Sequence, residues 1–412
     1  MDEVKEVGAK PALSDFRVLE LADEKGTYAG KELADMGADV IKIERPGGDR
    51  TRSIPPFFND RPHPDGSLYF LYMNTNKRGI TLNLATDEGR ALFRRLVDTA
   101  DVFIETCAPG YLDGLGLSYE ALAKDNPGLI MTSVTNFGQT GPYKDYKASD
   151  IVGYAMGGLM YVTGYDDAPP LRAGGSQAYM MAGVQAGAAT MMALFARRTT
   201  RGGLGQHIDI SMQEAVAALT NLIGVSKYLD DKVLPVRAPA KGKNPFGNLR
   251  CKDGGYVCIT VARARMWPVL ASWVAEVTGN RAILNVKYDG PAINRQIHAD
   301  ELGVLLAEFA ARLDKDDLYR EGQRRRLAVA PVNGPKDLAE SEHLGARHFY
   351  VEVDHPHTGR LTYPGAPFNL SETPWAIRRP APMVGQHNRE VFVDELGLSM
   401  EEMKGLAKKG VI

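Results

Sequence analysis

The chain has 412 residues, of which 51 are Asp or Glu and 49 are Lys or Arg, so its formal net charge is −2. This balance excludes the basic surface that nucleic-acid binding requires, and no polybasic or acidic run predicts attachment to a membrane surface. Hydrophobic residues make up 44% of the chain, which is enough to bury a large core, and the length predicts two domains.

The cysteines, the histidines and the first residues bear on metal binding and on the compartment. Cys107, Cys251 and Cys258 are the three cysteines, and their spacing predicts neither a disulfide framework nor a CxxC metal clamp. His355 and His357 stand in a Pro-containing segment without a helix to align them, so we expect no metal site. The first ten residues, MDEVKEVGAK, lack an apolar stretch, so we expect no signal peptide and a cytoplasmic protein.

Strand-like and helix-like segments alternate through the first half of the chain. In chain order they are a strand at 16–21, a helix at 27–36, a strand at 39–44, a helix at 86–99, and strands at 101–105 and 128–134. The alternation predicts an α/β fold in which a doubly wound domain surrounds a parallel sheet. Ligands of such sheets bind at the carboxyl ends of the strands, so the loops after Leu21, Glu44, Glu105 and Val134 are candidate binding loops.

A nearly apolar run at 178–196 approaches the length of a membrane span. Gly183, Gln185, Gly187 and Thr190 interrupt it, and its many alanines make it weakly hydrophobic. We interpret it as a closely packed buried helix and expect no membrane partner. The segment RGGLGQHIDISMQEAV that follows predicts a turn, a strand and another helix.

The second half predicts a smaller domain and a C-terminal segment. Between 232 and 248, prolines and glycines break regular structure, which predicts a linker. We therefore expect a large domain at 1–230, a small α/β domain at 231–330, and a segment at 331–412 that returns to the large domain. The small domain contains the strand-like GYVCITV and a helix-like run at 267–277, and the last helix is expected at 400–408.

Two glycine-containing loops follow predicted strands. The glycines at 110, 114 and 116 do not have the GxGxxG spacing, so no dinucleotide-binding loop is predicted. The segment RPGGDRTR at 45–52 places three arginines beside two glycines directly after a strand. This pattern suits an adenine face or a phosphate, and it equally suits a solvated charged turn.

Asp150 follows the GQTGP turn and precedes the small-residue apolar stretch IVGYAMGGLM. A carboxylate at the border of a closely packed interior is either a functional acid or base, or a helix N-cap. The sequence leaves both interpretations open.

Several segments together resemble the family III CoA-transferases, which include formyl-CoA transferase, carnitine CoA-transferase and the 2-methylacyl-CoA racemases. The similar segments are GADVIKIERPGGDRTR, LYFLYMNTNKRGITLNL, DVFIETCAPGYLDGLG, GPYKDYKASD, RGGLGQHIDISMQEAV and VGQHNREVFVDELGLS. They occur in the family's order from about 16 to the end of the chain. The resemblance implies a Rossmann-like large domain, an interlocked dimer, and coenzyme A or its thioesters as substrates, with no covalently bound cofactor.

The resemblance also implies covalent catalysis by an aspartate, which attacks the donor acyl-CoA and then carries CoA as a thioester. In the formyl-CoA transferase pattern this aspartate follows a Pro-Pro-Leu segment by eight residues. Here that segment ends at Leu171, and Tyr179 occupies the nucleophile position. A phenol, with a pKa of about 10, does not form the anhydride, and residues 173–181 contain no acid.

The racemase branch uses a histidine and an aspartate to exchange an α-proton. Its aspartate matches Asp150, which makes this residue a possible secondary acid or base. Its histidine falls in LSYEALAKDNPG, which contains none, so racemisation is not expected.

The residues that contact CoA in the family are better matched. Arg45 matches the arginine that stacks on adenine, Leu82 lies on the matching wall, and Lys147 matches a CoA-binding lysine. Thr106 and Cys107 replace the usual Asn-aromatic pair on the pantetheine side. A solvated loop lysine is the alternative interpretation of Lys147.

The preferred hypothesis is the nucleophile-lacking subunit of a heteromeric CoA-transferase, whose homologous partner subunit carries the catalytic aspartate. The substrates we expect are an acyl-CoA such as succinyl-CoA and a carboxylic acid, with benzylsuccinate as one candidate. The alternatives are an acyl-CoA isomerase or racemase-like enzyme that uses Asp150, a non-catalytic CoA-binding protein, and a homomeric transferase that uses another acid.

Overall fold

The structure is a computed structural model that describes residues 10–165, 167–219, 229, 246–261 and 263–412. The chain divides into a larger unit, made of Met1–Leu159, Ala173–Ile223 and Ala346–Ile412, and a smaller unit, made of Met160–Arg172 and Gly224–Gly345. The predicted linker and the predicted boundary at 230 lie almost wholly outside the described residues, so those bounds stay a prediction.

Six parallel strands form the sheet of the larger unit within the described residues. They are β1 (Arg17–Leu21), β2 (Asp39–Glu44), β3 (Arg78–Thr81), β4 (Val102–Glu105), β5 (Ile130–Thr135) and β6 (Gln206–Ser211). Their order is β3-β2-β1-β4-β5-β6, and Val18 of β1 lies opposite both Val40 of β2 and Val102 of β4. The strand order reverses between β1 and β4, which confirms the predicted doubly wound α/β fold.

Apolar residues specify these strands. Val18, Leu19, Val40, Ile41 and Phe103 are at most 1% exposed. Strands buried on both faces are typical of a parallel sheet with helices on either side, since both faces must exclude water.

The helices of the larger unit pack on both faces of this sheet. Before the C-terminal segment they are α1 (Thr27–Asp35), α2 (Leu68–Met73), α3 (Asp87–Val97), α4 (Tyr111–Gly114), α5 (Tyr119–Asp125), α6 (Asp150–Met156), α7 (Gln177–Thr199) and α8 (Met212–Leu219). Ser67, Thr86 and Ser118 are N-caps whose hydroxyl oxygens accept hydrogen bonds from backbone N–H groups, so side chains fix where α2, α3 and α5 begin.

The long helix α7 is the apolar run seen in the sequence. A Cβ on Gly183 would lie 2.9 Å from Cβ of Tyr28, and a Cβ on Gly187 would lie 2.9 Å from the carboxylate of Glu32, both on α1. The hydroxyl of Thr190 lies 2.8 Å from that of Thr132 in β5. By length and composition alone α7 could cross a membrane, but 44% of its most apolar window is buried inside the protein, which agrees with a packed helix.

The smaller unit has its own sheet and core. Its antiparallel strands are β7 (Gly247–Arg250), β8 (Tyr256–Thr260) and β9 (Ala328–Pro331), in the order β7-β8-β9. Its helices are α9 (Met266–Thr278), α10 (Ala292–Ile297), α11 (Ala299–Ala310), α12 (Lys315–Arg324), α13 (Pro335–Ala339) and α14 (Glu342–Ala346). Trp273 packs edge-on against Phe309, with ring centroids 4.8 Å apart.

The C-terminal part of the chain covers the β3 edge of the large sheet. It contains the hairpin β10 (Tyr350–His355) and β11 (Gly359–Pro364), a π-helical segment (Arg389–Glu395) and α15 (Met400–Lys408). The N–H of Gly79 donates to His387 Nδ1 at 3.0 Å, and the N–H of Thr81 donates to the Asn388 side chain at 2.9 Å. Edge strands must be covered or paired, and this segment covers β3.

Candidate active site at the carboxyl edge of the sheet

The loops after β1, β4 and β5 line one cavity of about 270 Å³. Three of the five residues matched to CoA contacts, Thr106, Cys107 and Lys147, line it together with Lys25 and Lys144. The carboxyl ends of neighbouring parallel strands meet at one edge of the sheet, which explains why distant loops converge here.

Arg45 and Leu82 lie elsewhere on the same edge. Arg45 directly follows β2 and is exposed. Leu82 directly follows β3, is only 2% exposed, and packs in the hydrophobic core. Neither Arg45 nor Leu82 lines the cavity of Thr106 and Cys107, and a contact of Arg45 or Leu82 with CoA stays a prediction.

The cavity is electropositive. It contains Lys25, Lys144 and Lys147 against one acid, Asp145, and Lys25 Nζ also lies 2.5 Å from the Asp23 carboxylate outside the cavity lining. Ammonium groups of this kind attract phosphates and other anions, so the cavity suits an anionic ligand.

Cys107 does not add a nucleophile to this cavity. Its backbone N–H donates to Glu105 at 2.6 Å. Burial, reinforced by Glu105, raises the pKa of the Cys107 thiol, and burial also raises the pKa of Glu105. The thiolate is the reactive form of cysteine, so Cys107 serves as a polar wall.

A second cavity of about 230 Å³ adjoins the first and shares Ala108, Pro109 and Lys144 with it. The hydroxyl of Ser133 lies 2.8 Å from His207 Nε2, and burial lowers the pKa of His207. The sequence gives no signal for this pair, because Ser133 and His207 lie on different strands and meet only through the sheet.

Asp150 caps the start of α7. Its Oδ1 accepts hydrogen bonds from the backbone N–H groups of Ala178 at 2.8 Å and Tyr179 at 3.2 Å. The first N–H groups of a helix have no partner within the helix, so a carboxylate there stabilises it by hydrogen bonding and by charge. This geometry favours the capping interpretation of Asp150, although the capped helix is α7 rather than α6, on which Asp150 lies.

Tyr179 is half-buried in the first turn of α7. Burial, followed by the negative charge of Glu24, raises the pKa of its phenol, while Arg50 opposes that shift. The phenol therefore stays protonated at neutral pH. Glu24 comes from the loop after β1 and Arg50 from the loop after β2, so three segments meet at this position.

Glu24 and Arg50 form an ion pair with a distance of 2.6 Å between Oε1 and Nη2. The Glu24 side chain is 11% exposed and that of Arg50 is 63% exposed. Oε2 of Glu24 is buried and accepts no hydrogen bond from the described residues. Arg50 belongs to the segment RPGGDRTR noted in the sequence, but nothing in the sequence pairs it with Glu24.

The three arginines of RPGGDRTR have separate roles. Arg45 and Arg50 are exposed, but the Arg52 side chain is 3% exposed and binds both oxygens of Glu44 at 2.7 Å and Asp65 at 2.7 Å. The interpretation of the whole segment as a ligand-binding loop is therefore corrected for Arg52, which holds the loop in place.

Buried ion pairs lie beside the loop after β1. Lys77 Nζ lies 2.6 Å from Glu20 Oε2, and Lys42 Nζ lies 3.3 Å from Glu20 Oε1 and 3.1 Å from Asp49. Burial lowers the pKa of Lys77 to about 8, with Glu20 opposing the shift.

Among the described residues, no group of three or more His, Cys, Asp or Glu side chains is arranged to hold a metal ion.

Comparison with known proteins identifies the family. The sequence model of CoA-transferase family III matches residues 13–388. The chain is 36% identical to the succinyl-CoA:(R)-benzylsuccinate CoA-transferase subunit BbsE of Thauera aromatica, over 97% of this chain and 98% of that protein. It is 33% identical to the formyl-CoA:oxalate CoA-transferase of Streptomyces avermitilis, over 97% of this chain and 99% of that protein.

A solved structure agrees with these matches. A CAIB/BAIF family protein from Brucella suis aligns with a TM-score of 0.83 at 30% sequence identity, and the alignment covers 93% of this chain and 99% of that one. The resemblance inferred from the sequence segments is thereby confirmed. The chain belongs to CoA-transferase family III, and its chemistry is CoA transfer.

Proposed function

We propose that this chain is one subunit of a heteromeric CoA-transferase that moves CoA from succinyl-CoA to a dicarboxylic acid, such as a substituted succinate. A homologous partner subunit supplies the catalytic aspartate. The similarity to BbsE, which is named as a subunit of a succinyl-CoA:(R)-benzylsuccinate CoA-transferase, supports the role as a subunit and the choice of substrates.

The observation that carries the proposal is Tyr179 at the position where the resembling transferases have aspartate. Its raised pKa keeps the phenol protonated, so it does not replace a carboxylate nucleophile. The loop and helix around it, residues 173–181, contain no acid. A second chain of the same fold is the simplest source of the missing group.

The reaction then proceeds on the partner's aspartate. Its carboxylate attacks the thioester carbonyl, releases CoA thiolate and forms a mixed anhydride. The thiolate attacks the aspartyl carbonyl, which releases succinate and leaves an aspartyl thioester. The acceptor carboxylate attacks that thioester, which releases CoA thiolate and forms a second mixed anhydride. The thiolate then attacks the acceptor carbonyl of this anhydride, which gives the new CoA ester and regenerates the aspartate.

This chain contributes binding groups. Lys25, Lys144 and Lys147 make the cavity beside Thr106 and Cys107 attractive to the anionic parts of CoA. Arg45 is exposed at the end of β2, where it is available to stack on adenine.

The test is transfer from succinyl-CoA to benzylsuccinate, measured as the appearance of the new CoA ester. We expect activity from this chain co-expressed with a homologue that has aspartate at the position of Tyr179, and none from either chain alone. Mass spectrometry should find the CoA thioester on the partner's aspartate. Tyr319→Phe, on an exposed face of α12, is the control that leaves activity unchanged. Full activity of the lone chain would overturn the proposal.

The isomerase alternative is less well supported. Asp150 would have to act as a base, yet its Oδ1 already accepts two backbone hydrogen bonds at the start of α7. This alternative would be supported if the isolated chain incorporated deuterium at Cα of an acyl-CoA and the Asp150→Asn variant did not.

A further inference from the structure

We propose that the ring of Tyr146 binds the aryl substituent of the acid that exchanges CoA at this site. The inference rests on the proposed function, because it names the class of acid that the same reaction takes. That class is an aryl-substituted dicarboxylic acid, in which one small molecule carries an aromatic ring and two carboxylates.

Three aromatic rings pack together on the loop that follows β5. The rings of Tyr143 and Tyr146 are stacked, with centroids 5.0 Å apart and an angle of 29° between their planes. Phe137 meets both rings edge-on, with its centroid 6.1 Å from that of Tyr143 and 6.5 Å from that of Tyr146. Aromatic pairs stabilise one another at such distances, so two neighbours hold the Tyr146 ring in place.

Backbone hydrogen bonds fix the loop that carries these rings. The N–H of Gln139 donates to both carboxylate oxygens of Asp209 in β6, at 3.0 Å and 2.9 Å. The N–H of Gly138 donates to the hydroxyl of Thr135 at 2.9 Å. A ring on a fixed loop loses little conformational freedom when a ligand stacks on it, so the entropy cost of binding is small.

The ring of Tyr146 is nevertheless open to a ligand. Tyr146 is 58% exposed, and it lines the cavity of about 270 Å³ that also contains Thr106 and Cys107. An exposed ring in the wall of a cavity is an apolar surface on which a second ring can stack.

Two ammonium groups accompany the ring in the same cavity. Lys144 and Lys147 stand two residues before and one residue after Tyr146, and both line the cavity. Asp145 is the single acid of that lining, so the lysines are in excess. Ammonium groups bind carboxylates and an aromatic face binds a phenyl ring, so this cavity offers both groups that an aryl-substituted dicarboxylate requires.

The adenine of CoA is the other aromatic ring in this reaction, and its expected place is elsewhere. Arg45, the residue matched to adenine stacking, follows β2 and does not line this cavity. Thr106 and Cys107, which are matched to the pantetheine side, do line it. Because the pantetheine arm ends at the thioester, the acyl group is the part of the substrate that we place next to these residues.

The experiment compares benzylsuccinate with methylsuccinate, which has the same carboxylates but no phenyl ring. It uses the two-subunit enzyme with succinyl-CoA as donor, and it measures KM for an acid that turns over and the inhibition constant for one that does not. In Tyr146→Leu we expect the value for benzylsuccinate to rise on the order of fivefold, because a stacked ring pair is lost. The values for methylsuccinate and for succinyl-CoA should stay within about twofold of wild type.

Two further variants serve as controls. Tyr146→Phe keeps the ring and removes only the hydroxyl, so it should keep the preference for benzylsuccinate. Tyr319→Leu makes the same change as Tyr146→Leu on an exposed face of α12, in the smaller unit, and it should change the value for neither acid. Thermal unfolding of each variant checks that the fold is intact.

The outcomes are distinct from those of the subunit test. Equal changes for benzylsuccinate and methylsuccinate in Tyr146→Leu would overturn the inference, even if the enzyme is heteromeric. A rise in KM for succinyl-CoA as large as the rise for benzylsuccinate would place adenine on this ring, and it would overturn the inference as well.

The inference is also decided if the proposed function fails. If the lone chain is fully active, the same two acids are compared with the lone chain and its Tyr146→Leu variant. If no CoA is transferred to any acid, calorimetry measures the binding of benzylsuccinyl-CoA and methylsuccinyl-CoA to this chain. Tighter binding of benzylsuccinyl-CoA that Tyr146→Leu abolishes supports the inference, whereas equal affinities, or a preference that survives the substitution, overturn it.

Discussion

Two groups of charged side chains near the loop after β1 differ in their environment. The interior group, Glu20, Lys42 and Lys77, has side chains that are 0% exposed, and both lysines pair with Glu20. In the rim pair, Glu24 and Arg50, the Arg50 side chain is 63% exposed and that of Glu24 is 11% exposed. The same residue types are thus held in ion pairs without water in one place and left open to solvent in the other.

Breaking the interior group should have the largest effect. Lys77→Met removes the 2.6 Å partner of Glu20 and leaves it only Lys42 at 3.3 Å, and removing one partner of a buried ion pair costs about 3 to 5 kcal/mol. Denaturant unfolding measures the loss. The double variant Glu20→Gln with Lys77→Met should recover part of it, and a loss below about 1 kcal/mol would show that water reaches Glu20.

Arg50 and Arg52 lie in the same short 3₁₀ turn, Arg50–Ser53, and give the most direct test of the comparison. Arg52→Gln should lower the free energy of unfolding by about 2 to 4 kcal/mol, because Glu44 is left buried with one charge unbalanced. Arg50→Gln should change it by less than about 0.5 kcal/mol, since the pair is exposed on one side. Equal losses in the two variants, measured by the same denaturant titration, would contradict the division into interior and rim.

Two glycine substitutions should show the same contrast between a closely packed position and an open one, without any change of charge. Gly183→Ala brings a methyl group within 2.9 Å of Tyr28 Cβ, and overpacking of this kind costs about 1 to 3 kcal/mol. Gly405→Ala in α15 meets nothing within 4 Å and should gain about 0.5 to 1 kcal/mol from helix propensity. Thermal unfolding compares the two, and stabilisation by Gly183→Ala would mean that α1 and α7 are not in close contact.

A small and pH-dependent effect should come from Glu32, a half-buried acid on α1 that forms no ion pair with the described residues. Burial, and then Asp35, raises its pKa to about 7, against the partial opposition of Lys31. The folded state therefore favours the protonated acid, and the stability this contributes is lost as the pH rises through 7. Glu32→Gln should gain about 1 kcal/mol relative to wild type at pH 8 and nothing at pH 4. A gain that does not depend on pH would contradict this assignment.

Sequence periodicity predicted most of the sheet but missed β3. The strand has four residues and includes Arg78 and Gly79, so it shows no apolar pattern. Its burial depends on the C-terminal segment, where Pro382 lies 2.8 Å from the position a Cβ on Gly79 would occupy. This cover comes from a distant part of the chain, so the sequence of β3 alone does not predict that the strand is buried.

The candidate site was predicted in part for similar reasons. Thr106, Cys107 and Lys147 follow strands or belong to a recognisable motif, and the structure brings them together. The sequence marks Arg50 as part of RPGGDRTR but does not pair it with Glu24, and the parallel pairing of β1 and β2 makes the two residues neighbours. Asp150 was left open because the helix it caps begins 27 residues further along the chain.

The larger unit is completed by the last residues of the chain. The N–H of Asn83, just after β3, donates to the carbonyl of Val411 at 2.7 Å, and the intervening chain includes the whole smaller unit. During synthesis, β1 to β6 emerge long before the segment that covers β3, so a nascent chain has an open sheet edge until that segment leaves the ribosome and folds.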